Sequence, residues 1–187
     1  MSEIVRLTQA EYFFSAQVGF TRCFEDHKRG FNGAVEGKIW NESDRRWDNC
    51  IVGAQAELAV CKYLKVHWSH SVNAQGECDI PPDIEVRSSN HPRAQLLFIR
   101  PGVDKKNRRY IFVTVNLLEF KIHGWISGEE AMVRKYYGKL KPLAPETFMV
   151  PITSLHSMRG FNVWDEGSDR HQQVFEKEQG KPVGFMA

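Results

Sequence analysis

The chain has no long apolar run. Nowhere in its 187 residues does a stretch approach the roughly 20 apolar residues that cross a bilayer, so no membrane partner is expected. The opening, Met1-Ser2-Glu3-Ile4-Val5-Arg6, lacks the basic start and apolar core of a secretory leader. Cysteine is scarce and unpatterned: Cys23, Cys50, Cys61 and Cys78 make no Cys-x-x-Cys pair and no finger spacing. Free thiols suit a reducing cytosol, so a cytoplasmic location is expected. Charge of one sign is missing too. The net charge is only +2, which by itself implies no polyanionic partner. The glycine-rich stretch from Gly30 to Gly37 carries no phosphate-binding pattern and reads as a loop. Internal repeats and low-complexity segments are absent as well.

What is present suits one packed domain with extensions over 1–187. Hydrophobic residues make up 42% and charged residues 26%. Thr8 and Glu11 form a capping box that opens a helix to about Lys28. Along it Tyr12, Phe13, Ala16, Phe20 and Phe24 recur at helical spacing, a stripe that reads as core or as a homodimer contact. A second helix is predicted from about Asp44 to Leu64, with Ile51, Ala54, Leu58 and Cys61 on one stripe. Glu57 shares that stripe, and between Asn49 and Leu64 its only charged neighbour is Lys62. An inward-facing acid is costly unless it is paired or binds a cation. Two explanations stand for Glu57: a metal ligand, or a buried acid paired with an arginine such as Arg87.

The densest chemistry lies in Gly76-Glu77-Cys78-Asp79-Ile80-Pro81-Pro82-Asp83-Ile84-Glu85-Val86-Arg87-Ser88-Ser89, with four carboxylates and one arginine. Ile84 and Val86 alternate with Glu85 and Arg87, which is the period of a strand. Pro81 and Pro82 mark the turn before it, and Asp79 sits just ahead of that turn. Acid, turn, then acid-x-base on one strand face makes a compact site for a hard divalent cation such as Mg²⁺ or Mn²⁺. Asp79 and Glu85 are the first candidate ligands, with Glu57 and the carbonyl of Val86 as further ones. Cys78 beside Asp79 reads as packing, with a soft metal ligand as the alternative. His67 and His70 lie in a connecting segment and read as solvated or packed on aromatics.

Downstream, Gln95 to Arg100 reads as a buried central strand, 101–109 as a basic hairpin loop, and Tyr110 to Val115 as another buried strand. Glu119 to Ile122 is a further strand. Ser127-Gly128-Glu129-Glu130 is a capping box opening a helix to about Tyr137, and Thr147 to Val150 is a last strand. The polar tail over 160–187 offers only a helix near His171 to Glu178. The element order predicts an α/β domain: a mixed central sheet flanked by helices, with an N-terminal helical extension over about 8–28.

At Asp79, at Glu85-Val86-Arg87 and at the preceding Gly53-Ala54-Gln55-Ala56-Glu57-Leu58-Ala59, the chain resembles the PD-(D/E)xK, or restriction-endonuclease-like, nucleases. It is most similar to their small phage-encoded members, over about residues 45–155, and departs from them in having Arg87 where lysine is usual. The resemblance implies an αβββαβ core and a Mg²⁺-dependent nuclease, an endonuclease on DNA by preference. It would work in the host cytoplasm if phage-encoded. In that family the lysine orients or deprotonates the attacking water. Arginine is a poor base, but Arg87 could grip a phosphate oxygen bidentately. The catalytic set is then Asp79, Glu85 and Arg87. Lys105, Lys106, Arg108 and Arg109 are the expected backbone-binding residues, with Arg93 and Arg100 behind them. The alternatives are a degenerate nuclease fold that only binds nucleic acid or a protein, and a virion component assembled through the aromatic helix.

Overall fold

The computed structural model describes residues 2–29, 43–72 and 76–164. The glycine-rich loop from Gly30 and the helix expected near His171 lie outside the described residues.

The chain begins with a short strand, β1 (Glu3–Arg6), that the sequence reading does not contain. Helix α1 (Gln9–Lys28) follows, and its capping box is formed: Thr8 takes the Glu11 N–H while the Glu11 carboxylate takes the Thr8 N–H. Helix α2 (Ser43–Leu64) lies against it. Six strands then complete two sheets: β2 (Ile84–Ser89), β3 (Leu96–Ile99), β4 (Arg109–Asn116), β5 (Glu119–Ser127), the two-residue β6 (Tyr137–Gly138) and β7 (Thr147–Pro151). The four-stranded sheet runs β1-β5-β4-β2, with β2 and β4 parallel and the other pairs antiparallel. The three-stranded sheet runs β3-β7-β6 and is antiparallel.

This is a mixed α/β architecture with the larger sheet in the middle. One of its faces presents Ile84, Val86, Ile111 and Val113 to Ala54, Ala56, Ala59 and Val60 of α2. The other presents Tyr110, Phe112 and Ile126 to Leu97, Ile99 and Val150 of the smaller sheet. Strand β4 is therefore buried on both sides, which is why it reads as a continuous apolar run. Where β4 meets β5 the register slips after Phe112, and Gly124 there has φ +144°. A Cβ at Gly124 would stand 2.2 Å from the His156 carbonyl oxygen, so only glycine fits.

Three expectations need correction. The run 95–100 is not a central strand: β3 is an edge strand of the smaller sheet, with Leu97 and Ile99 inward and Phe98 exposed. It does not pair with β4, so 101–109 is a crossing loop and no hairpin. The capping box at Ser127 forms, but its helix α3 ends after Gly128–Ala131 and a 3₁₀ turn follows at Arg134–Tyr136. The far face of the central sheet is thus covered by strands instead of a helix. Finally, of the two readings of the α1 stripe, core holds only for Tyr12: Phe13, Phe20 and Phe24 are exposed, and Ser15, Val18, Gly19 and Cys23 point inward. Helices this close need small side chains at the contact. At Gly19 a Cβ would lie 2.5 Å from the Cys50 carbonyl oxygen.

Candidate active site

Strand β2 is an edge of the central sheet, and the site is built around that open edge. The chain reverses just before it through Pro81–Pro82, a cis peptide, and is closed by paired hydrogen bonds between Ile80 and Ile84 of 3.1 and 3.0 Å. This turn carries Asp79 back alongside β2. The Val86 N–H, which has no sheet partner on that side, donates to Asp79 Oδ2 at 2.7 Å. In an extended strand the N–H and C=O of one residue point the same way, so the Val86 carbonyl faces the same open edge.

Burial alternates along β2. Ile84 and Val86 face α2, and Glu85 and Arg87 face the smaller sheet, as their spacing predicts. Glu57 stands on the other side, on α2. The three acids therefore reach the β2 edge from different directions: Glu57 from the helix side, Glu85 from the far side, and Asp79 from the edge between them. The electrostatics reflect this. Burial, then the charges of Glu57 and Glu85, push the Asp79 carboxyl up to about 7. Part of the Asp79 residue stays at the surface, but its carboxylate is deep enough for desolvation to dominate. Glu85 is also raised by burial, with Arg87 and Arg108 pulling it back.

Glu57 is 5% exposed, and both of its oxygens are engaged. Arg22 of α1 donates from Nη1 to Oε1 at 2.5 Å and from Nη2 to Oε2 at 2.8 Å. The Trp68 indole donates to Oε2 at 3.2 Å. The arginine partner of Glu57 is therefore Arg22 and not Arg87, and Glu57 is held in an ion pair instead of standing open as a ligand. Among the described residues, no three His, Cys, Asp or Glu side chains are close enough together to share a metal ion. Asp79 and Glu85, with the Val86 carbonyl, are the groups left for a cation. That is a sufficient set for magnesium, which commonly takes one or two protein carboxylates and keeps several waters.

Arg87 is clamped. Its Nη2 donates to Asp104 Oδ1 at 2.5 Å, its Nη1 lies 3.6 Å from Glu85 Oε2, and its guanidinium sits over the Tyr110 ring at 5.7 Å. Asp104, 3% exposed at its side chain, also accepts from the Arg100 N–H at 2.6 Å. Two guanidinium nitrogens beside Glu85 are buried with no acceptor: Nε of Arg87 and Nε of Arg108. Such orphan donors each cost about 1–3 kcal/mol.

The expected nucleic-acid residues scatter. Arg109 is a structural clamp: it is bidentate to Asp83, donates to the carbonyls of Asn162 and Val163, and stacks on Phe161 at 5.0 Å. Arg100 pairs with Asp104 at 3.2 Å. Arg93 and Lys106 are exposed. Arg108 and Lys105 turn to the acid loop, both donating to the Gly76 carbonyl. His67 and His70 are exposed; His70 packs edge-on to Phe14 and Trp68, His67 meets His70, and Cys78 is half-buried with its thiol raised by burial.

Sequence reasoning misses Arg22 and Asp104. Arg22 falls at helical spacing with Val18 and Gly19 on the buried face of α1, an inward cation that matches the inward acid of α2. Asp104 follows Arg100 by four residues in a Pro-Gly turn, where a carboxylate readily caps a free N–H. No family model, no curated protein and no solved structure matches the chain.

Proposed function

We propose that the chain is a metal-dependent nuclease hydrolysing phosphodiester bonds, with DNA as the favoured substrate and a restriction-endonuclease-like core. The observation that carries this reading is the Asp79 carboxylate pinned by the Val86 N–H against the open edge of β2, with Glu85 on that strand and Glu57 on the facing helix. Acids gathered against their own repulsion fit a site that is completed by a cation. Asp79, Glu85 and the Val86 carbonyl would hold Mg²⁺ or Mn²⁺. Bound there, the ion supplies an activated water and neutralises charge developing on the scissile phosphate.

The chain's own residues have distinct parts. Asp79 is fixed by the Val86 N–H, so its other oxygen is presented without freedom to turn away. Glu57, paired with Arg22 and capped by the Trp68 indole, ties α1 to α2 on the helix side of the edge. Arg87 stays charged at any working pH and cannot serve as the base. Clamped by Asp104, it is preorganised to stabilise negative charge next to Glu85.

The second reading is a binding-only protein on the same scaffold. It is favoured by one observation: Arg87 and Glu57 are both occupied by partners within the chain. A labelled duplex incubated with the protein and Mg²⁺ or Mn²⁺ separates the two. Cleavage that vanishes in Asp79→Asn and in Glu85→Gln, with melting temperatures at or above wild type, is the expected result. Cleavage retained in both variants removes this site from the chemistry. Binding without cleavage in any divalent ion leaves the second reading.

A further inference from the structure

We propose that Arg108 and Lys105 form an anion clamp on the wall of the acid cleft, and that its ligand is a backbone phosphate oxygen of nucleic acid. The proposal rests on the nuclease reading and names the residues that would place the polymer against Asp79 and Glu85.

Both cations converge on one neutral acceptor. Arg108 Nη2 donates to the Gly76 carbonyl at 3.2 Å and Lys105 Nζ donates to the same oxygen at 3.0 Å. Arg108 Nη1 reaches the Pro82 carbonyl only at 3.5 Å, the outer limit of a hydrogen bond. Its Nε is buried and has no acceptor. The one carboxylate near Arg108 is Glu85, 4.0 Å away, which Arg87 also approaches. Lys105 has no carboxylate partner among the described residues.

Two like charges sharing one uncharged oxygen repel each other. The Gly76 carbonyl takes both donors on its two lone pairs, but it offers them no negative charge. An anion seated between them relieves the repulsion and gives Arg108 Nη2 and Lys105 Nζ a charged acceptor in place of a neutral one. The other basic residues of the region do not have this character. Arg109 is used up by Asp83 and two carbonyls, Arg100 by Asp104, and Arg87 by Asp104 and Glu85. The clamp also sits on the loop that carries Asp79, since Gly76 and Pro82 bracket it. A phosphodiester held there lies beside the proposed metal ligands, which is where a scissile bond is needed. A phosphate contact of this kind binds every sequence alike and is screened by salt.

The test is binding without catalysis. Wild type, Arg108→Ala, Arg108→Lys, Lys105→Ala and the distant control Lys121→Ala are titrated into a fluorescein-labelled duplex in EDTA, and anisotropy is followed across a KCl series. Arg108→Ala and Lys105→Ala should each weaken binding at low salt and reduce the slope of log K against log salt by about 1. Arg108→Lys should keep the slope and lose part of the affinity, because it keeps the charge and not the fork. Lys121→Ala should lie near wild type. Should Arg108→Ala melt early, Lys105→Ala decides, because Lys105 is a surface residue. An unchanged slope in folded Arg108→Ala or in Lys105→Ala, or an equal loss in the control, overturns the clamp and leaves the nuclease reading standing. Wild-type protein that binds no duplex at any salt also overturns the clamp, whereas the nuclease reading falls separately, on the absence of cleavage in Mg²⁺ and in Mn²⁺.

Discussion

Arg22 and Glu57, 35 residues apart in sequence, meet in a two-pronged ion pair between α1 and α2. The pair is largely buried, with the side chains 20% and 7% exposed. Removing one partner of a buried pair costs about 3–5 kcal/mol, because the other charge is left desolvated and unmatched. Arg22→Ala should therefore lower the melting temperature sharply. Added Mn²⁺ should restore part of it if the freed Glu57 then takes up a cation. A variant that melts with wild type would mean that the pair does not form in solution.

The second expectation concerns pH. Asp79 titrates near 7 in the fold, against an ordinary value of 3.8 in an unfolded chain. Between these values the folded protein holds a proton that the unfolded chain has released. Stability therefore falls as pH rises through that window, and Glu85, also raised, acts in the same direction. Metal-free protein should unfold at lower denaturant at about pH 8 than at about pH 5. Asp79→Asn should flatten most of that dependence. A wild-type profile rising over the same window contradicts the proposed crowding of acids.

Arg87 links stability to turnover. Arg87→Ala should cost about 10²–10³-fold in metal-dependent cleavage if it stabilises the transition state. It should also destabilise the apoprotein, because Asp104 at 3% exposure would be left with Arg100 alone. Arg87→Lys should keep more of both. Asp104→Asn should leave the guanidinium free to move and lower turnover with the charge of Arg87 intact. Full cleavage by Arg87→Ala would place the arginine outside the chemistry.

Gly19 tests the helix contact that positions Glu57. A Cβ there would come within 2.5 Å of both the Cys50 carbonyl oxygen and the Ile51 Cα. Backbone cannot yield as a side chain can, so Gly19→Ala should push α1 off α2 and cost about 1–3 kcal/mol. The same shift should loosen the grip of Arg22 on Glu57. Thermal denaturation measures the first effect. A double-mutant cycle with Arg22→Ala measures the second, and strict additivity would refute the link.

The sequence by itself determined what depends on near neighbours. The capping boxes at Thr8 and Ser127, the turn at Pro81–Pro82, and the opposite facing of Val86 and Arg87 all follow from spacing within a few residues. The α/β class followed from the order of such pieces. Tertiary structure decided whatever depends on distant partners. The face α1 buries was set by how closely α2 approaches, a distance that admits Ser15 and Gly19 and turns Phe13 and Phe20 outward. The place of β3 was set by its pairing with β7, some fifty residues on, which no local period encodes. A charged side chain has many chemically equivalent partners along the chain, and only the topology chose Arg22 for Glu57, Asp104 for Arg87 and Asp83 for Arg109. Hence the acids of the site were legible as residues, while their neutralisation, and the two cations left beside them, became visible only once the chain had folded.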